Sequence, residues 1–512
     1  MDRSINSITR KRVAVVGSGC AGTAALWALN RTYHDVYLYE AASRLGGQTN
    51  TVQWTKGKFS TAVDTGFVVF NTTTYPNFVE FIKRLGLDSE PTEVSLGVSR
   101  DHGLFEWAST SLRAAFSQRR NLLSPRMWRI LFDIVRFNQF AIDILIEEDI
   151  ESARGGPDNA HRSETIGQYL EREGYSTSFE NDYLLPLIST IWNASPEKSF
   201  LDFPAVTLVR FLWNHYLVST SLGRLQWLTL RYGSKSYVDA VMKGFPPNHL
   251  FTNTSVRSLS NDADGRVRLH FENGKTEVFD HVVLATHGDQ ALSIINTSAT
   301  EEERSILSCF RTSQTEAVLH SDTSHMPSRR KAWAGLNCRT VSAHMGKPGI
   351  GKTSLTCNMN WLQNIPRDPF GDVLVTLNPL HQPRRDLIQG RYYYTQPVYT
   401  IESFRAQKLL RYIQNTRGIS YAGAWTNYGS HEDAFSSGLR VAQEHLGAKL
   451  PFQFQDSTYS RGKTPRLGML DHTLRLIILI LQVFVVQILE WLTGRGRQTT
   501  RPNVNGKLRA KA

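Results

Sequence analysis

Three glycines, Gly17, Gly19 and Gly22, stand at GxGxxG spacing in Gly17-Ser18-Gly19-Cys20-Ala21-Gly22. Gly17 permits a tight turn, Gly19 lets the backbone approach a pyrophosphate, and Gly22 lets a helix pack closely on a strand. Unpaired N–H groups and the dipole at the start of that helix then favour phosphate. Alone, the hexapeptide is a weak signal; its context strengthens it. Arg12–Gly17 (RVAVVG) reads as a buried strand, and Ala21, Ala24, Ala25, Leu26 and Leu29 as a helix face. Asp35–Glu40 (DVYLYE) reads as a second strand. Strand, glycine turn, helix and strand make one Rossmann-type βαβ unit. Glu40 ends it about 20 residues beyond the glycines, where a carboxylate accepts both hydroxyls of an adenosine ribose and repels a 2′-phosphate. NAD and FAD satisfy this much equally.

The next residues distinguish them. Glu40-Ala41-Ala42-Ser43-Arg44-Leu45-Gly46-Gly47-Gln48-Thr49 resembles the ExxxRxGG signature of the flavin amine oxidoreductase superfamily, which includes amine oxidases, carotenoid desaturases and protoporphyrinogen oxidase. The resemblance implies FAD, with Arg44 and the glycine pair reaching the pyrophosphate from the side opposite Gly19. Val63-Asp64-Thr65-Gly66-Phe67 is similar to the segment that passes the flavin ring, where a glycine removes a clashing Cβ; Asp64 is equally well read as a turn cap. Tyr421-Ala422-Gly423-Ala424-Trp425, Gly429-Ser430-His431-Glu432-Asp433-Ala434 and Ser437-Gly438 resemble the C-terminal flavin motif, a glycine turn leading into a helix whose N-terminal amides face the flavin. Ser255-Val256-Arg257 and Ala285-Thr286-His287 supply the adenine side and a return strand on the same resemblance. The implied cofactor-binding set is Gly17, Ser18, Gly19, Cys20, Ala21, Gly22, Glu40, Ala41, Arg44, Gly46, Gly47, Gln48, Thr49, Thr65, Gly66, Phe67, Val256, Thr286, Gly423, Trp425, His431, Glu432 and Asp433. No catalytic residue is assigned.

A narrower resemblance rests on DTGFVVFNTTTYPNFVEFIKRLG, YLLPLISTIWNASPEKSFLDFPA, ATHGDQAL, AVLHSDTSHMP and GSHEDAFSSG. These stretches look like the NAD/FAD-binding proteins encoded beside, or fused to, cyclopropane fatty acid synthases. That likeness covers residues 12–446 and implies a lipid-modifying methyltransferase as a partner. The chain also departs from the wider superfamily. Trp425 stands where an acid is usual, and Ser430 where amine oxidases place a cage tyrosine. Gln314-Thr315-Glu316-Ala317-Val318 lacks the lysine that holds a water near the flavin in those enzymes. These departures leave FAD binding intact and weaken the case for amine oxidation.

The elements that must position these residues follow from the rest of the chain. Its 512 residues exceed one ordinary core. The expected fold is α/β: a Rossmann-type FAD-binding domain from residues 1–100, 246–300 and 415–450, an interleaved α+β substrate domain from 101–245 and 301–414, and a membrane-associated helix over 474–492. Residues 107–145 and 166–245 read as mainly helical. Leu250–Val256, Val267–Phe271, Val278–Leu284, Ala317–Ser321, Thr353–Asn360 and Val373–Leu377 read as strands, with Asn273-Gly274 as a hairpin turn. Cys20, Cys309, Cys338 and Cys357 show no CxxC spacing, so no zinc site or dithiol motif is indicated and a reducing compartment fits. A net charge of +12 is diffuse, without a zinc knuckle or aromatic-basic motif for nucleic acid.

Leu476–Leu492 (LIILILQVFVVQILEWL) is almost wholly apolar. At about 1.5 Å per residue it falls short of a bilayer core of about 30 Å. A short anchor, an interfacial helix and a packing helix compete. The basic residues Arg495, Arg497, Arg501, Lys507, Arg509 and Lys511 suit an anionic cytosolic leaflet and favour the interfacial reading. Trp213-Asn214-His215 reads as a core histidine site, and His287 as structural or flavin-bonding. Three functions remain: oxidation of an apolar, acyl lipid-like molecule by flavin in an intracellular, membrane-associated enzyme; an amine or specialised-metabolite oxidase; and a non-catalytic flavin-binding accessory of a lipid-modifying enzyme.

Overall fold

The apolar Arg12–Val16 strand sits in the middle of a five-stranded parallel sheet, and so needs apolar residues on both faces. Its neighbours are Asp35–Tyr39 on one side and His281–Leu284 on the other; Leu250–Phe251 and Ile419–Tyr421 complete the edges. The protein is described from a computed structural model covering residues 10–153, 164–192, 201–218, 225–342 and 350–487. Every residue of the Cys20–Leu29 helix is buried, because the His431–Arg440 helix packs against it. Strands Val256–Asn261, Val267–Phe271 and Thr276–Phe279 form a separate antiparallel layer, with Gly274 at a φ of +81° in the expected turn.

A seven-stranded sheet forms the second domain. Its order is Ile388–Val398, Arg311–His320, Leu374–Leu377, Ile350–Asn358, Leu336–Ser342, Leu96–Arg100 and Phe105–Ala108. All neighbours run antiparallel except Leu336–Ser342 beside Leu96–Arg100. Helices between Leu112 and Asn214 cover one flank around an aromatic core that includes Phe137, Tyr175 and Phe179.

Several expected boundaries move. Leu96–Arg100 leaves the first FAD-domain piece for the substrate sheet, because its partners lie there. Phe105–Ala108 is a strand that overlaps the start of the 107–145 stretch read as helical, and Trp227–Leu230 is a strand inside the 166–245 stretch. The Lys235–Lys243 helix returns to the nucleotide side, burying Tyr237, Val238 and Val241 with Val13 and Leu26. At the C-terminus the Met469–Leu481 helix continues through Gln487. Among the described residues no helix is long and apolar enough to cross a membrane; the rest of the 474–492 segment and the basic tail lie outside them.

Candidate active site

The glycine turn builds the first wall of the site. Gly17 takes a φ of +99°, and a Cβ on Gly22 would stand 1.9 Å from the Gly17 carbonyl oxygen, so helix and strand meet only through glycine here. A Cβ on Gly19 would meet no protein atom within 4 Å. That vacancy opens into an elongated cavity of about 960 Å³, at the upper end of the range for small-ligand sites. On the facing side Gly47 approaches closely enough that its Cβ would lie 3.1 Å from Gly19 Cα. Arg44 lines the same cavity, is exposed, and has no acid partner among the described residues. Two backbone turns and a free guanidinium converging on open space are what a pyrophosphate requires.

Glu40 is held ready by its neighbours. The Ser18 amide (2.9 Å) and hydroxyl (2.6 Å) donate to Oε2, and the Ala42 amide donates to Oε1 at 2.8 Å. The Gly46 amide donates to Ser18 Oγ at 3.2 Å, so Glu40 and the second glycine turn share one network. Val256, Arg257, Glu272 and Ile294 extend the cavity on the adenine side. At the other end Gly66 passes so near the Gln48 carbonyl oxygen that a Cβ would stand 2.1 Å from it, and Phe67 stacks on His431 at 3.6 Å. The Tyr237 hydroxyl hydrogen-bonds both Thr49 Oγ1 (2.7 Å) and His431 Nε2 (3.0 Å), joining three motifs that lie far apart in the chain. Burial pushes His431 down to about 3, so its imidazole stays neutral. Burial raises the Cys20 thiol, which keeps it protonated and unreactive.

The fit to FAD is therefore good on geometry: an acid fixed at the ribose end, an open glycine cradle, and a helix N-terminus at His431 facing the far end. Of the residues expected to bind it, Gly17, Ser18, Gly19, Cys20, Ala21, Glu40, Ala41, Arg44, Gly46, Gly47, Gln48, Thr49, Gly66, Phe67, Val256, Thr286, Gly423, Trp425 and His431 line the cavity. Gly22, Thr65, Glu432 and Asp433 stand behind its wall. Gly22 faces the Gly17 carbonyl, and the Thr65 hydroxyl is tied to the Tyr394 hydroxyl at 2.6 Å. Glu432 accepts from the Asn77 and Phe78 amides and from the Asn77 and Ser436 side chains, and burial pushes it up to about 8 against those hydrogen bonds. Asp433 caps its own helix through Ser430. Asp64 is likewise a tie, accepting from Thr51, Ser234 and Gln363, with burial pushing it up to about 6. Trp425 fills the place of the usual acid by donating from Nε1 to the Thr286 carbonyl at 2.8 Å.

The sequence reading placed the Thr353–Asn360 and Val373–Leu377 strands in the substrate domain but named no residue of the opposite half of the cavity. Leu355, Cys357 and Leu377 come from the seven-stranded sheet, Thr190, Ile191 and Trp192 from the end of the Leu185–Trp192 helix, and Tyr394, Gln396 and Tyr399 from the Ile388–Val398 strand and its end. The alternation of Ser354, Leu355, Thr356 and Cys357 was the available signal, a period of two with one apolar face. Residues Gln314–Val318 contribute no side chain to the cavity.

Comparison with known proteins agrees with this geometry. The model of the flavin-containing amine oxidoreductases matches residues 20–344. No curated protein matches the chain in sequence. Among solved structures, cyclohexylamine oxidase from Brevibacterium oxydans is similar at 16% identity, with a TM-score of 0.58, over 86% of this chain and 99% of its own. The conjugated-linoleic-acid-producing fatty acid isomerase from P. acnes is similar at 14% identity and a TM-score of 0.55, over 85% and 98%. A protoporphyrinogen oxidase-like protein from Exiguobacterium is similar at 16% and 0.54, over 86% and 99%. At such identities the likeness speaks for the fold. With the family model spanning more than half the chain, the glycine cradle and Glu40 find their explanation: the chain belongs to the flavin-containing amine oxidoreductase family and is an FAD-dependent oxidoreductase.

Proposed function

We propose that this enzyme oxidises an apolar, acyl lipid-like substrate at an unactivated C–H bond. One observation carries the reading. The charged residues lining the cavity, Glu40, Arg44, Arg257 and Glu272, all belong to the nucleotide half, and the substrate half is lined by apolar and neutral polar side chains alone. An ammonium group there would be buried without a counter-charge, at a cost of several kcal/mol. An acyl chain loses nothing polar on entering, and each buried methylene contributes about 0.8 kcal/mol.

Bound FAD supplies a two-electron, hydride-accepting centre. The protein's part is to hold the chain of the substrate still and dry beside it. Val68, Val69, Ile191 and Trp192 give the apolar wall, and the Trp192 indole is fixed by donating to the Tyr428 carbonyl at 2.8 Å. Gln48 locks the opposite side by donating from Nε2 to the Thr395 carbonyl at 2.8 Å. Positioning of this kind lowers the barrier without an ionised group. The neutral His431 ring, stacked on Phe67, keeps the turn before the last helix in place.

Anaerobic mixing tests the reading. Long-chain acyl substrates should bleach the flavin absorbance near 450 nm, while primary amines and polyamines leave it unchanged. Bleaching by amines with none by any acyl compound would overturn it in favour of an amine oxidase.

A further inference from the structure

The outer face of the helical flank is apolar where solvent would meet it. On the Pro125–Phe140 helix, Trp128, Phe132 and Val135 recur at helical spacing; Trp128 and Val135 are exposed and Phe132 partly so. The Trp128 indole donates to the Leu122 carbonyl at 2.8 Å, which fixes the Leu122–Leu123 turn beside this stripe. Leu123 is 90% exposed and Leu112 78%. At its other end the stripe runs to Gln139, one turn beyond Val135. Gln139 is covered by the Met469–Leu481 helix: its side-chain amide donates to Asp471, and Arg475 donates to its carbonyl and pairs with Asp143 at 2.8 Å. Only Ile478 of that helix is buried; Leu476, Ile477, Leu479 and Ile480 face outward, as does Phe484 beyond it.

Charge identifies the occupant. Arg113, Arg119 and Arg120 are exposed among these leucines, and none has an acid partner among the described residues. The sequence following Gln487 carries six further cations and a single acid, Glu490. Contiguous apolar surface fringed by unpaired cations matches the boundary between anionic headgroups and acyl chains. We infer that the Leu112–Leu123 segment, the Trp128–Val135 stripe and the C-terminal helix together form one face that lies on an anionic lipid surface. The C-terminal helix is thus one part of a preformed platform, clamped to it by the Arg475–Asp143 pair. A continuous helical segment, Thr177–Trp192, packs its first turns on the Pro125–Phe140 helix through Phe179 and Phe137 (5.5 Å) and ends at the cavity wall with Thr190, Ile191 and Trp192. The helix that carries the face and the cavity wall are therefore joined by one packed segment. The inference stands independently of the substrate reading, since its readout is binding alone.

Co-sedimentation of the full, flavin-loaded chain with vesicles tests it, using phosphatidylcholine alone and phosphatidylcholine with about 30% phosphatidylserine. The expected result is binding to the anionic vesicles, weakened at least about tenfold by the double change Leu122→Glu and Leu123→Glu, and weakened in a salt-sensitive way by Arg113→Glu with Arg119→Glu. Melting temperature and flavin absorbance should match the parent in both variants, because these side chains are exposed. Three results would overturn it: no binding to either vesicle; binding that the leucine and arginine changes leave untouched; or a leucine variant that instead converts a dimer to a monomer in sedimentation equilibrium, which would make the face a contact between copies.

Discussion

Gly19→Ala separates cofactor binding from folding. Gly19 has φ −58° and ψ −177°, a conformation open to alanine, and the added methyl would touch no protein atom. Without cofactor the variant should therefore fold as the parent does. Removing a glycine from the unfolded chain stabilises by about 0.4–1 kcal/mol, so the apoprotein should melt at the same temperature or slightly higher. With cofactor, the methyl enters the open part of the cavity beside Gly19 that the pyrophosphate needs. Intruding one carbon into a filled site costs about 1–3 kcal/mol, which weakens the dissociation constant by roughly 5- to 150-fold. Titration of apoprotein with FAD, followed by quenching of flavin fluorescence, measures this. Gly22→Ala is the contrast: its methyl would strike the Gly17 carbonyl at 1.9 Å, so stability and binding should fall together. Parental FAD affinity in Gly19→Ala, or a lower apoprotein melting temperature, would refute the placement of the pyrophosphate.

Glu40→Ala should weaken FAD by about 10- to 100-fold, since a hydrogen bond to a charged group is worth about 1.5–3 kcal/mol, and should shrink the rise in melting temperature that FAD gives the parent; an undiminished rise would contradict the ribose role. Ile191→Lys should keep FAD and cut turnover of acyl substrates by at least about 100-fold, because an unpaired ammonium in an apolar wall costs several kcal/mol; parental steady-state rates would contradict the apolar site. For pH, burial above all, with the charge of Lys11 and the neighbouring imidazoles of His445 and His34, pushes His281 down to about 3 from 6.5. The unfolded chain takes up that proton as pH falls below 6.5 while the folded chain refuses it until about 3, so the contribution of neutral His281 is lost across that window. The melting-temperature margin of the parent over His281→Gln should narrow from pH 6.5 downward, and a margin independent of pH would contradict this.

The nucleotide half was legible because its signals are local. A βαβ unit places Gly17, Gly19, Gly22 and Glu40 within a single supersecondary motif, and the resemblance of two further segments brought Gly66 and His431 to the same molecule. The substrate half depends on pairing between distant strands, which residue types do not announce. Leu96–Arg100 pairs with Leu336–Ser342 across nearly half the chain, and that pairing moved it out of the nucleotide domain. Ile388–Val398 mixes glycine, arginine and glutamine with three tyrosines, so its alternation is masked, although its end forms the cavity wall. The acids Glu432 and Asp433 illustrate the opposite error. Their place in a flavin motif suggested contact, whereas the helix phase turns both inward, where they accept from the Phe78 and Ser430 amides.

The most direct measurement is a paired titration of apoprotein with FAD and with FMN. With Glu40 and the Val256–Arg257 side placed to hold the adenosine end, FAD should bind at about one per chain and be released intact on denaturation, with FMN held at least about 100-fold more weakly. Equal affinity for FMN, or no uptake of either flavin by folded protein, would contradict the account.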